Sequence, residues 1–132
     1  MGMYTEIYIN VDLKKEIPDD VIQVLKAMCR MLPNEECEEV LKPYPERWHI
    51  LFGDGSYYTP NTYCRFLKFD DISNQWSLLG KGDIKNYGNE IQEFFKWIMP
   101  YIDSYPGMFI GYSRYEEDKE PQLYFYPEEE DD

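Results

Sequence analysis

Histidine and cysteine, the side chains on which many metal and nucleophile sites depend, are scarce in this chain of 132 residues. The single histidine, His49, lies in an apolar stretch, and the three cysteines, Cys29, Cys37 and Cys64, form no CxxC pair. A zinc site would need several such ligands at short spacings. The odd number of scattered cysteines instead indicates a reducing compartment and thiols that act as small apolar fillers. We expect no metal and no cofactor.

Motifs for phosphate binding and catalysis are also missing. No GxxxxGK[ST] or complete GxGxxG sequence opens a helix, and Asp54-Gly55-Ser56 lacks the ligand series of a calcium loop. A Cys–His nucleophile would require a cysteine to fold beside His49 with its thiolate stabilised, and no spacing favours that. The sequence therefore predicts a protein that is not an enzyme.

Long hydrophobic runs are absent as well. No apolar stretch approaches the roughly 20 residues that span a bilayer, and the N-terminus lacks the basic and then apolar layout of a signal peptide. Hydrophobic residues nevertheless make up 43% of the chain and aromatic residues 17%, which is typical of a folded domain rather than a disordered chain. We expect one cytoplasmic domain with no membrane partner.

Basic residues are half as numerous as acidic ones, 13 against 26, and the net charge is −13. Half of the acids lie in three runs that contain one base, Lys119, so the rest of the chain is nearly neutral. The runs are Glu35, Glu36, Glu38 and Glu39; Glu116, Glu117, Asp118 and Glu120; and residues 128–132, predicted to be a disordered tail. Because phosphate contacts need an excess of Lys or Arg, direct nucleic-acid binding is disfavoured.

Two amphipathic helices organise the predicted fold, and both repeat apolar residues at i, i+3, i+4 and i+7. The first is expected to run to about Leu32 and to stop at Pro33, and residues 34–41 could add a short helical turn. The two apolar stripes are Val21, Val24, Leu25, Met28 and Leu32, and Ile91, Phe94, Phe95, Ile98 and Ile102.

Six strands are predicted around these helices, at residues 4–13, 47–53, 64–69, 75–84, 108–115 and 122–126. Alternation of Ile7, Ile9 and Val11 with polar residues is typical of a half-buried strand. Gly80 and Gly82 favour a bulge in the fourth strand. The order predicts a single α+β domain over residues 1–127, built from two βαββ-like halves at about 4–70 and 75–127. Its sheet would be antiparallel or mixed, with both helices on one face.

Short motifs in the middle of the chain carry a resemblance to known sequences. They are RW at 47–48, SYY at 56–58, FDDI at 69–72, KNY at 85–87, EI at 90–91 and WI-PY at 97–101. In these residues the chain resembles a family of small, uncharacterised bacterial proteins with a similar layout. The resemblance covers residues 47–102 and implies no particular activity.

The acidic runs predict a surface that binds, and inhibits, a basic protein. Acids would steer the encounter and tyrosines would supply rigid contact area. An immunity protein or a phage-type anti-defence inhibitor would suit this size and charge, and nucleic-acid mimicry would further require the 35–39 and 116–120 runs to converge. The predicted partner-binding residues are Glu35, Glu36, Glu38, Glu39, Tyr57, Tyr58, Tyr112, Tyr115, Glu116, Glu117 and Asp118.

Three alternatives remain open on the sequence. The acidic runs could serve solubility alone. A small-molecule-binding or enzymatic domain would instead have a pocket between sheet and helices, with Trp48, His49, Tyr58 and the Asp70–Asp71 pair as its candidate residues. A symmetric homodimer with a structural role is the third.

Overall fold

The structure is a computed structural model and describes residues 4–52, 64–84, 89–115 and 117–127. Within these residues one small domain combines three α-helices with a six-stranded antiparallel sheet, which confirms the α+β class. The strands are β1 (Thr5–Leu13), β2 (Cys64–Asp70), β3 (Gln75–Ile84), β4 (Ile102–Asp103), β5 (Phe109–Tyr115) and β6 (Gln122–Phe125). The helices are α1 (Asp19–Met28), α2 (Asn34–Leu41) and α3 (Glu90–Ile98), with 3-10 helices at Glu46–Ile50 and Met99–Tyr101.

The strand β1 lies at the centre of the sheet, and its alternating residues show which face of the sheet is buried. The sheet order is β2-β3-β1-β5-β6, and the short β4 pairs with the end of β1. Ile7, Ile9 and Leu13 are fully buried on the side that the helices cover. Residues paired directly across an antiparallel ladder share a side, so the alternate β1 residues and their partners point the other way. We call this second side of the sheet the open face.

The helix layer is a row of three packed elements. On one side of the row is α1, whose Lys26 Nζ lies 5.4 Å from the centroid of the Trp76 ring in β3. On the other side is α3, whose Phe95 ring stacks on Tyr124 of β6 at a centroid distance of 3.8 Å. The predicted apolar stripes of both helices are confirmed as core, since every member except the half-buried Leu32 is buried.

The segment between α1 and α3 in the helix layer is helical, so the prediction of a strand at residues 47–53 is wrong. Residues 46–50 form a 3-10 helix, in which the Trp48 N–H donates to the Pro45 carbonyl at 3.0 Å. The Trp48 indole N–H donates to the Glu90 carbonyl at 3.0 Å, which ties this element to the start of α3. An uninterrupted apolar run fits a buried strand and a buried helical turn equally well, and this tertiary contact selects the turn.

The prediction of a bulge at Gly80 and Gly82 is also wrong. The register between β1 and β3 runs unbroken over eight pairs, from Thr5 opposite Ile84 to Asp12 opposite Ser77. Gly80 is needed for a different reason, because the Phe52 ring occupies the space where a Cβ would stand. The sheet's irregularity lies instead in β5, between Phe109 and Gly111.

Both predicted helices end earlier than expected, and α3 ends at Ile98, so Ile102 of its predicted stripe belongs to β4. The first helix ends at Met28, four residues before Leu32, because Arg30 takes the left-handed conformation with φ 58°. The Met31 N–H then donates back to the Lys26 carbonyl at 2.8 Å, a closure characteristic of helix C-termini. The possible second helix at residues 34–41 is confirmed as α2. The equivalence of the two sequence halves stays a prediction.

Replacing Gly80 by alanine tests the seating of Phe52. We expect Gly80→Ala to lower the free energy of unfolding by about 1–3 kcal/mol, because the new methyl group overlaps the Phe52 ring. The measurement is chemical denaturation of the purified protein. In a Phe52→Leu background, where the ring is gone, the same substitution should cost clearly less, and an equal cost in both backgrounds would contradict this packing.

Candidate partner-binding surface

Helix α2 carries the first acidic run. Its eight residues follow Pro33, and Cys37 and Leu41, one helical turn apart, are the two residues that it buries. Packing of this pair on α1 and on the Glu46–Ile50 helix holds α2 in place. The four predicted glutamates, Glu35, Glu36, Glu38 and Glu39, are all exposed.

The spacing of these glutamates disfavours the helix that carries them. Three like-charged pairs, 35–38, 36–39 and 35–39, lie three or four residues apart, where side chains are neighbours on a helix. Glu35 and Glu36 gain from the positive N-terminal end of the helix dipole, but Glu38 and Glu39 lie toward its negative end. The last turn of α2 contains no basic residue, but Lys42, the helical C-cap residue, follows Glu38 by four positions and Glu39 by three and offsets part of this repulsion. Three like-charged pairs outnumber the two pairs with Lys42, so the acidic run adds more repulsion than attraction to α2, which pure hydration would not require.

A surface groove adjoins this acidic helix. It has a volume of about 310 Å³ and is lined by Glu38, Leu41, Lys42, Tyr44 and His49. The rings of Tyr44 and Trp48 are stacked at 5.3 Å, so the aromatic wall of the groove rests on the core. The Arg30 guanidinium donates to the His49 carbonyl at 3.0 Å and fixes the histidine's backbone. Sequence reasoning missed the groove, because no pattern indicates that the segment after α2 folds back beside it.

The second acidic run lies elsewhere on the fold. Glu117 and Asp118 are exposed in the turn between β5 and β6, where the Asp118 N–H donates to the Tyr115 carbonyl at 2.9 Å. This turn is on the β6 side of the central strand, whereas α2 packs on α1, which contacts β2 at the other edge. Glu116 and the 128–132 run lie outside the described residues.

The two described tyrosines of the predicted site point to opposite sides of the sheet. Tyr112 pairs with Tyr8 on the open face, and their rings stack at 5.4 Å. Tyr112 also donates its hydroxyl to the Glu6 carboxylate at 3.2 Å, and burial, with the nearby Glu6 charge, raises the Tyr112 pKa. Tyr115 pairs with Thr5 on the helix side. Tyr57 and Tyr58 lie outside the described residues.

The residues of the alternative, a pocket between sheet and helices, lie in separate places. Trp48 is buried in the core, while His49 is exposed at the groove. Asp70 accepts hydrogen bonds from the Ile72 N–H and the Ser73 hydroxyl in the turn after β2, and these bonds lower its pKa. Asp71 is exposed in the same turn, and Tyr58 lies outside the described residues.

The cysteines lie at the end of α1, in α2 and at the start of β2. Cys29 and Cys37 are buried and Cys64 is half-buried. Burial raises the pKa of the Cys29 thiol to about 12, against a smaller opposing effect of the Arg65 charge. Cys37 donates its thiol hydrogen to the Leu32 carbonyl, with sulfur and oxygen 3.3 Å apart. Among the described residues no three His, Cys, Asp or Glu side chains are grouped to hold a metal ion.

Comparison with known proteins found no matching family model, no matching curated protein and no matching solved structure. None of the helices in the described part of the chain has the length and apolar character needed to cross a bilayer.

Thiol labelling tests the placement of the cysteines. At pH 8, Cys64 should react first with an alkylating reagent, because it is the cysteine with solvent access. Cys29 should react only through unfolding, since its thiol is buried and its pKa is about 12. Mass spectrometry of peptides at successive times gives the three rates. A Cys64→Ser variant serves as the control and should lose the fast phase, and fast labelling of Cys29 in the native protein would contradict the placement.

Proposed function

We infer that this protein is a non-enzymatic acidic binding protein that engages and inhibits a basic protein through α2 and the groove beside it. The observation that carries the proposal is the concentration of four exposed glutamates on a short helix whose stability they lower. Departures from local stability rules are expected where a surface serves function. A basic partner would relieve the repulsion and gain the charge attraction.

The groove supplies the short-range part of this recognition. A lysine or arginine side chain of the partner that enters it meets the Glu38 carboxylate and the Tyr44 ring. A guanidinium gains from both contacts, through a charge-assisted hydrogen bond and a cation–π interaction. Lys42 lines the same groove and offsets part of the Glu38 charge, so the groove has room for one positive charge at most. The groove thus favours one basic anchor residue of the partner. The other basic residues of the partner would be attracted to α2 more weakly and at longer range.

The geometry favours inhibition by such an anchor over mimicry of a nucleic-acid backbone. Mimicry would need the 35–39 and 116–120 runs on a shared surface, and their described residues belong to elements on opposite sides of the central strand. An inhibitor of the immunity or anti-defence type needs only one acidic surface that covers a basic active site. The partner class proposed is therefore a basic nuclease, toxin or other nucleic-acid-binding effector.

The double variant Glu38→Gln, Glu39→Gln separates binding from stability. It removes all three like-charged pairs together with the attraction of both residues to Lys42, and it leaves the two glutamates at the N-terminal end of α2, so the free energy of unfolding should rise by at most about 0.5 kcal/mol. Binding to the basic partner should weaken by roughly tenfold or more and lose much of its salt dependence. The measurements are denaturation and quantitative capture from a native lysate at low salt, followed by titration of the captured protein.

The matched control is Glu117→Gln, Asp118→Asn, which makes the same change in net charge at the β5–β6 turn. It should leave capture unchanged. If no basic protein is captured at low salt, or if both double variants weaken binding equally, the proposed role of α2 is wrong.

A further inference from the structure

The open face of the sheet bears a band of exposed apolar side chains. Register identifies its members, because Tyr112 pairs with both Tyr8 and Leu123, and Asn10 and Phe66 both pair with Leu79. Phe125 lies two residues beyond Leu123, and Phe109 pairs with it, with ring centroids 6.0 Å apart. The band comprises Tyr8, Phe66, Leu79, Phe109, Tyr112, Leu123 and Phe125 and crosses all five strands of the main sheet.

This band is larger than a monomer needs to leave in water. Phe66 is 55% exposed, Leu123 and Phe125 are 48% exposed, and Phe109 is 46% exposed. A half-exposed aromatic side chain presents about 100 Å² to solvent. With the partly exposed Tyr8, Leu79 and Tyr112, the band reaches several hundred Å², although Lys81 beside Tyr8 and Asn10 beside Leu79 interrupt it. Polar-rimmed patches of that size mark interaction sites.

Polar rows of both charge signs border the band. At one end of the strands, Glu6 pairs with Arg114 on one side and with the buried Asp83 on the other. At the other end, Ser77 lies between Asp12 and Lys68. The Ser77 hydroxyl donates to the Asp12 carboxylate at 2.7 Å, so this rim is ordered. Mixed charge distinguishes the open face from α2, which carries acids alone.

This difference in charge between the open face and α2 determines which partner suits the open face. A strongly basic partner is attracted to α2. On the open face the bases Lys68, Lys81 and Arg114 offset the acids, so that face offers such a partner no net attraction. A second copy of this chain has the same apolar band and a rim that contains both signs, so acids of one copy can meet bases of the other. In a two-fold arrangement each contact occurs twice, which makes a self-complementary face effective.

The available area also suits a dimer. Five strands about 4.8 Å apart and six residues per strand at about 3.3 Å give a projected footprint of about 500 Å². The relief of the side chains raises the accessible area toward the roughly 800 Å² per partner of a standard interface. We propose that two copies stack their open faces, with the two sheets about 10 Å apart and the helix layers outside.

Sedimentation velocity over a range of concentrations tests this proposal. The unmodified protein should sediment as a dimer that dissociates on dilution. Leu123→Glu places a carboxylate in the apolar band on the edge strand β6 twice per dimer, and the dissociation constant should rise by about tenfold or more. Ile72→Glu is the matched control, because Ile72 is 93% exposed in the β2–β3 turn and the substitution adds the same charge away from the band. It should leave the dimer intact.

A second variant keeps the test decisive if Leu123→Glu does not fold. Phe66→Lys changes a residue that is 55% exposed on the edge strand β2, and circular dichroism with thermal unfolding shows whether each variant is native. A folded, monomeric Phe66→Lys protein supports the interface even if Leu123→Glu does not fold. A wild-type protein that is monomeric at all concentrations overturns the proposal, whatever else covers the face. A dimer that persists in both variants overturns it too.

Discussion

The helix layer depends on the insertion of two aromatic side chains, Trp48 and Phe52, between α1 and α3. Trp48 packs edge-on against Phe94 at 5.5 Å, and Phe52 contacts the same ring at 5.5 Å while lying over Gly80. The space above Gly80 exists because that residue has no side chain. This insertion sets the separation of the two helices, and it also places Tyr44 and His49 where they line the groove next to α2.

Hydrophobic periodicity predicts the helices and strands that bury one face and expose the other. Strand β1 and the stripes of α1 and α3 alternate apolar and polar residues, so their period identifies both the element and its buried side. Residues 47–53 are apolar almost throughout and carry no period. Their conformation follows from where Trp48 can be buried with its N–H satisfied, which is a property of the assembled core.

The candidate site, like the fold, was predictable from the sequence only in part. The acidity of α2 is readable from Glu35 to Glu39, and its exposure follows from the single buried pair Cys37 and Leu41. The relation of that run to the turn at residues 117–120 was not readable, because it depends on sheet order, which a sequence with few long-range signals does not specify. Tyr112 and Tyr115 show the limit most simply. They are three residues apart on one strand, so a pleated strand points them in opposite directions.

The acidic surface of α2 and the apolar band of the open face can both be used at once, because they lie on different parts of the molecule. Dimerisation doubles a charge of −13, yet charges repel weakly beyond the screening length of about 8 Å at physiological ionic strength. Stacked open faces would place the two α2 helices in the outer helix layers, separated by both sheets, which pack about 10 Å apart. Such a dimer would present two acidic surfaces to a partner, and linked sites of that kind gain avidity without any change in the individual contact. The apolar band and the acidic helix can thus serve one binding role.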